Sequence, residues 1–139
     1  MDQVISQDYL QWLRNEFENS PYWKHMGISF KKLESGKVII HMPVKNQLMN
    51  SNNVIHGGAI TSLLDSVIGA TIRSSKKVRL ATITLTTNFI KPVSEGTIYA
   101  TANLLNSGNR IQFVEAKVLN ENNEILGTAQ GTFYLFKLE

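Results

Sequence analysis

Residues 6–19 place Tyr9, Leu10, Leu13 and Phe17 on one helical stripe, with acidic or polar side chains around the rest. Ser20-Pro21 breaks that period, and a short second piece opens at Tyr22-Trp23 and ends at Gly27. Residues 28–33 and 37–44 read as a hairpin turning at Glu34-Ser35-Gly36. A polar loop over 45–55 leads into the one long helical pattern, 56–74, which closes on cations suited to a helix C-terminus. Everything after it is strand. Residues 82–89 alternate strictly, with Ile83, Leu85 and Phe89 expected on one face and Thr82, Thr84, Thr86 and Asn88 on the other. Pro92 and Ser94-Glu95-Gly96 stop that strand. Strands over 97–105, 110–119 and 124–136 follow, separated by turns at Asn106-Ser107-Gly108-Asn109 and 120–123. In the last strand Gly127, Ala129 and Gly131 recur at period two, which leaves room for a closely packed helix. The order helix, two strands, long helix, four strands predicts an α+β fold, an antiparallel sheet folded over one long central helix.

A length of 139 residues fits a single domain, 1–139, with a sizeable core. Hydrophobic residues at 42% and charged residues at 18% exclude a disordered chain. The absence of cysteine excludes disulfides, thiolate catalysis and cysteine-based zinc or iron–sulfur sites. Arg73, Lys76, Lys77 and Arg79 lie together, but no aromatic residues interleave with them, so no nucleic-acid partner is expected. The modest formal charge of +3 suits a small anionic ligand better. His25 and His41 lack ligand spacing with any acid, so neither a metal nor another cofactor is expected. Residues 1–19 have neither the basic start nor the apolar centre of a secretory leader, and no apolar run approaches the ~20 residues of a membrane span. The expectation is a cytoplasmic protein without a membrane partner.

The chemistry concentrates in residues 50–65. A polar loop gives way to His56-Gly57-Gly58, which opens an apolar helix, and Asp65 follows about two turns inside it. Two glycines at a helix start expose N–H groups to a close-approaching acceptor. On a helical wheel most of the circumference from Ala59 to Thr71 is core, whereas Gly58, Thr61, Ser62, Asp65 and Gly69 form a narrow small and polar stripe, with Ile72 as its exception. An ionised side chain there is costly unless it is paired or works on a ligand. One reading is a site that polarises a carbonyl at the helix tip and attacks it with help from a carboxylate. The plainer readings make the glycine pair a hinge, His56 a cap, Asn50 ordinary turn chemistry and Asp65 a structural acid. Gly57 and Asp65 are eight residues apart, about 12 Å along a helix axis, whereas a polarising group and an attacking group must both lie within roughly 3 Å of the reacting atoms. One helix therefore cannot serve one substrate with both. Two antiparallel copies can, and two-fold symmetry then creates two identical sites.

Asn50, the His56-Gly57-Gly58 triplet and Asp65, with strands before and after, resemble the hotdog-fold acyl-CoA thioesterases, in particular the phenylacetate-pathway PaaI-type branch. The resemblance covers about residues 27–136, and the triplet-to-acid spacing is its specific part. It implies a hotdog fold with an N-terminal helix added, homodimers that pair into homotetramers, and hydrolysis of an acyl-CoA to free acid and coenzyme A at the dimer interface. By matching position, Asp65 is the nucleophile or general base and Gly57 supplies the oxyanion N–H. His56 places the thioester, Asn50 holds the water or Asp65, and Thr82 matches a hydroxyl near the water. Gly58 and Ser62 lie on the same stripe as substrate contacts. Arg110 with Gly108, at the turn after the fourth strand, or one of the cations from Arg73 to Arg79, otherwise a solvated helix end, is the candidate for the phosphates of coenzyme A. The rival readings are a non-catalytic acyl-CoA-binding protein on the same scaffold and a purely structural or interaction protein in which the Asp65 stripe only cements helix pairing.

Overall fold

The computed structural model describes residues 4–138, so the outermost residues of the expected 1–139 domain and leader-free N-terminus lie outside it. Helix α1, Gln7–Glu18, starts where the Ser6 side chain accepts from the Tyr9 N–H at 3.1 Å, a cap that satisfies one of the free donors of the first turn. Helix α2, Pro21–Met26, has proline in its first turn and ends at Gly27, whose φ of 82° is the left-handed conformation that glycine tolerates. Strands β1, Ser29–Glu34, and β2, Lys37–Pro43, form the expected hairpin. Helix α3, Gly57–Ser75, precedes β3, Val78–Phe89, β4, Thr97–Leu104, β5, Ile111–Leu119, and β6, Ile125–Lys137.

The six strands form one antiparallel sheet in the order β1-β2-β4-β5-β6-β3. Helix α3 lies across its inward face. Leu63, Leu64, Val67 and Ile68 have no exposed surface and meet Ile40, Met42, Ile98, Val114 and Phe133 in one core. Each such side chain contributes about 1.5–3 kcal/mol by leaving water. The close helix–sheet approach read from the last strand is present. A Cβ on Gly127 would stand 2.9 Å from Ile60 Cγ2 of the helix, whereas the neighbours of Gly131 are Phe133 and Leu85 of the sheet itself.

Three expectations change. The strand after the long helix starts at Val78 rather than residue 82, because 78–81 pair with Tyr134–Lys137 of β6 in register. Its alternation is also not strict. The register shifts between Thr82 and Thr84, so Ile83 is extruded in a bulge and is 52% exposed. That insertion reverses the phase, and Thr82 faces α3 on the same side as Leu85, not opposite to it. Finally, the loop at 45–55 is less polar in effect than in composition. Leu48 and Ile55 are buried anchors, Asn46–Leu48 forms a 3-10 turn, and Met49 bridges Ile55.

Candidate active site

Four N–H groups at the start of α3 have no partner within an ideal helix. Here the Gly58 N–H donates to His56 Nδ1 at 2.7 Å, and the Ala59 and Ile60 N–H groups reach the His56 carbonyl. The Gly57 N–H has no acceptor among the described residues. His56 thus acts as the N-cap, and because its Nδ1 accepts, any ring proton of the neutral imidazole sits on Nε2. Gly58 is not a free donor, and Ser62 is committed as well. The Ser62 hydroxyl donates to the Gly58 carbonyl at 2.8 Å and lies 2.6 Å from the Tyr22 hydroxyl.

The Gly57 side is an apolar cleft of about 320 Å³ whose lining includes Asn50, Ile60, Phe89 and Ile90. A Cβ on Gly57 would come within 3.2 Å of Phe89 Cε1, so glycine lets this ring stand directly beside the exposed N–H. Asn50 Oδ1 accepts from the N–H groups of Asn52 and Val54, which shapes the loop. Its side-chain nitrogen makes no hydrogen bond among the described residues. In its own chain Asn50 therefore stands with Gly57 and not with Asp65.

Asp65 lines a different cleft, of about 290 Å³, with Trp23, Ser66, Gly69 and Leu80. The acid is half-buried, and the Thr82 hydroxyl donates to Asp65 Oδ1 at 2.8 Å. That contact depends on the β3 bulge. The small, polar stripe expected along α3 is open at Thr61, Ser62, Asp65 and Ser66, but closed further on, where Gly69, Ile72 and Arg73 are buried. Helix α1 covers that end: Glu16 pairs with Arg73 at 2.9 Å, and the Tyr9 hydroxyl donates to the Arg73 carbonyl at 2.8 Å. Burial raises the Tyr9 pKa above its ordinary value, against the pull of Arg73.

Gly108 and Arg110 lie at the far end of α3 from Gly57. Lys76, just beyond the helix, donates to the Gly108 carbonyl at 2.9 Å and to buried Gln112 at 2.8 Å. Burial lowers the Lys76 pKa. A Cβ at Gly108 would fall 2.0 Å from the Ile111 carbonyl oxygen, so the turn requires glycine for packing whatever else it does. Arg110 is exposed. Among the described residues no three His, Asp or Glu side chains stand close enough to hold a metal ion, and no helix is long and apolar enough to cross a membrane.

Sequence reasoning missed Phe89, Phe17, Trp23 and Arg79 as cleft residues. The first sits in a strand that reads as uniform alternation, and the others are brought beside α3 by folding across long separations. Exposure of Phe89 at 61% is the structural signal that it is not core.

The family model described as "Thioesterase superfamily" matches residues 52–126, which include the helix start, Asp65, Thr82 and the cleft residues Phe89 and Ile90, but not Asn50. The acyl-coenzyme A thioesterase PaaI of Escherichia coli is 25% identical over 116 residues, covering 83% of this chain and 82% of that protein. The structure of E. coli PaaI, a protein of the phenylacetic acid degradation operon, superposes with a TM-score of 0.87 at 22% identity, covering 96% of each chain. The conserved protein PA5202 from Pseudomonas aeruginosa superposes with a TM-score of 0.81 at 30% identity, covering 87% of this chain and 98% of that one.

Proposed function

The chain belongs to the thioesterase superfamily, and on that premise we propose that it hydrolyses acyl-CoA thioesters at a site shared by two antiparallel protomers. The observation that carries this reading is the division of the machinery. The uncommitted Gly57 N–H and Asn50 line one cleft, Asp65 and Thr82 another, and each cleft lacks what the other has. The edge strand β3 supplies a reason for the two to meet. It is 12 residues long, has no neighbour on its outer side, and displays Ile83 and Phe89, an edge that invites pairing with another strand. Antiparallel pairing of β3 with its copy brings the start of one α3 towards the Asp65 cleft of the other.

In the proposed mechanism the thioester oxygen accepts from the Gly57 N–H, where the helix dipole favours the developing negative charge. The Asn50 side-chain amide and His56 Nε2–H stand ready as further donors. Thr82 holds one carboxylate oxygen of Asp65 and leaves the other to work. That oxygen either attacks the carbonyl carbon, giving a mixed anhydride that water then opens, or takes a proton from a confined water that attacks in its place. In both routes the C–S bond breaks, and coenzyme A leaves as thiolate to collect a proton from water. Single turnover in ¹⁸O-water that labels Asp65 establishes the anhydride, and rapid-quench trapping of acylated Asp65 detects it where water opens the anhydride at the substrate carbonyl instead. The reading as a whole is tested by Asp65→Asn: thiol release should fall by at least about a hundredfold while the fold and assembly persist. Wild-type rates in that variant would refute it.

A further inference from the structure

The Asp65 cleft is also lined by two arginines, Arg73 and Arg79, and by the apolar side chains of Phe17, Trp23 and Leu80. Of the two cations, Arg73 is buried and engaged. Its Nε donates to the Val78 carbonyl at 3.0 Å, one of its terminal nitrogens meets Glu16 at 2.9 Å, and the guanidinium lies over the Phe17 ring. Arg79 is not engaged in this way. Its side chain is 58% exposed, it approaches the same Glu16 oxygen at 3.5 Å, and it makes no hydrogen bond among the described residues. Two cations thus share the Glu16 carboxylate, and the exposed Arg79 guanidinium keeps a planar fork of donors for a second one.

Arg79 and Thr82 are three apart on β3, so their side chains leave opposite faces of the strand, and the guanidinium reaches the cleft beside Glu16, the acid that also pairs with Arg73. Asp65 lines the same cleft. One protomer's share of this cleft is about 290 Å³, at the small end for a ligand site. We propose that this cleft is the acyl slot and that Arg79 selects short acyl groups carrying a second, distal carboxylate over neutral groups of equal length. The inference rests on Asp65 being the reacting acid. Arginine rather than lysine fits the role because its fork can meet a carboxylate with two parallel hydrogen bonds.

The test measures kcat/KM for glutaryl-CoA against hexanoyl-CoA, and adipyl-CoA against heptanoyl-CoA, each pair matched in length. Wild type should favour the dicarboxylic member of each pair. In Arg79→Gln that preference should fall by roughly tenfold to a hundredfold, the effect of losing a hydrogen bond to a charged group. Arg79→Lys should recover part of it, and Arg79→Glu should invert it. A merely structural role would lower both members of a pair together and leave their ratio unchanged. If wild type prefers the neutral member, or if Arg79→Gln leaves the ratio intact, the selectivity inference is overturned while the Asp65 reading stands. If wild type releases coenzyme A from none of the four, both fall.

Discussion

At the scale of the residue, the helix start is a problem of four N–H groups and their acceptors, and His56 solves most of it. Its ring takes the Gly58 N–H and its carbonyl takes the next two, so the donor left over is Gly57. The triplet was legible in sequence as a site, but the division of labour between its two glycines was not, because it depends on where the imidazole turns. Thr82 was legible only as a position. Its hydroxyl orients Asp65 at 2.8 Å, so Thr82→Val should lower kcat by about tenfold or more while the melting temperature stays close to wild type. An unchanged kcat would remove Thr82 from the machinery. Away from the site, His41 stands beside Lys31 on the sheet. Burial, and then the Lys31 charge, hold its pKa below the ordinary histidine value. The unfolded chain therefore binds the proton more readily, and the native state should lose stability as pH falls from about 6.5 through the lowered value, with no contribution above that window. Urea melts at pH 7.5 and pH 5 should show this loss in wild type and a smaller one in His41→Gln; equal losses would exclude the assignment.

At the scale of the element, α3 and β3 carry the residues of the proposed site, and they differ in how much of them the sequence announced. Helix α3 has an apolar period so broad that its burial followed directly, and its bounds differ from expectation by one residue at either end. Its open stripe was misjudged at the C-terminal half, since only packing shows that Gly69 lies against Leu80, Ile72 enters the core and α1 engages Arg73. In β3 the extruded Ile83 cannot be recognised locally: Thr82-Ile83-Thr84-Leu85 is as good an alternation as any. The bulge arises because Thr82 pairs with Phe133 and Thr84 with the very next residue, Thr132, a register set by β6. The tight passage of α3 over β6 yields a prediction. Gly127→Ala would push a methyl group to 2.9 Å from Ile60 Cγ2 and 3.2 Å from the Asn88 carbonyl oxygen, one of them backbone. The expected cost is about 1–3 kcal/mol, read as a lower denaturation midpoint. A midpoint equal to wild type would mean that helix and strand are not packed this closely.

At the scale of the whole molecule, the question is whether one chain can act without another. Gly57 and Asp65 open into separate clefts, so the proposed site exists when a helix start from one protomer meets the acid of its mate. Complementation puts this to a decisive test. Gly57→Pro deletes the N–H at a first helical position, where the backbone suits proline because His56 is already extended, and the Phe89 ring must shift by a few tenths of an ångström to admit the new ring. Gly57→Pro and Asp65→Asn should each be inactive. Dissociated together and reassembled at random, half of the dimers are mixed and each mixed dimer holds one intact site, so about one quarter of wild-type activity should return. A site contained within one chain would recover nothing.

Local repetition determined most of the architecture before any coordinates: the amphipathic α1, the apolar α3, the hairpin, the run of strands and the small residues of β6 all follow from side chains within a few positions of each other. Those patterns are readable because a helix or strand presents neighbours in sequence as neighbours on a face. Tertiary structure alone decided the phase of β3, the contact of Thr82 with Asp65, the placement of Arg79 in the Asp65 cleft and the separation of Gly57 from the acid. Each of these is set by pairing or packing between residues far apart in the chain, where no short-range period carries the information.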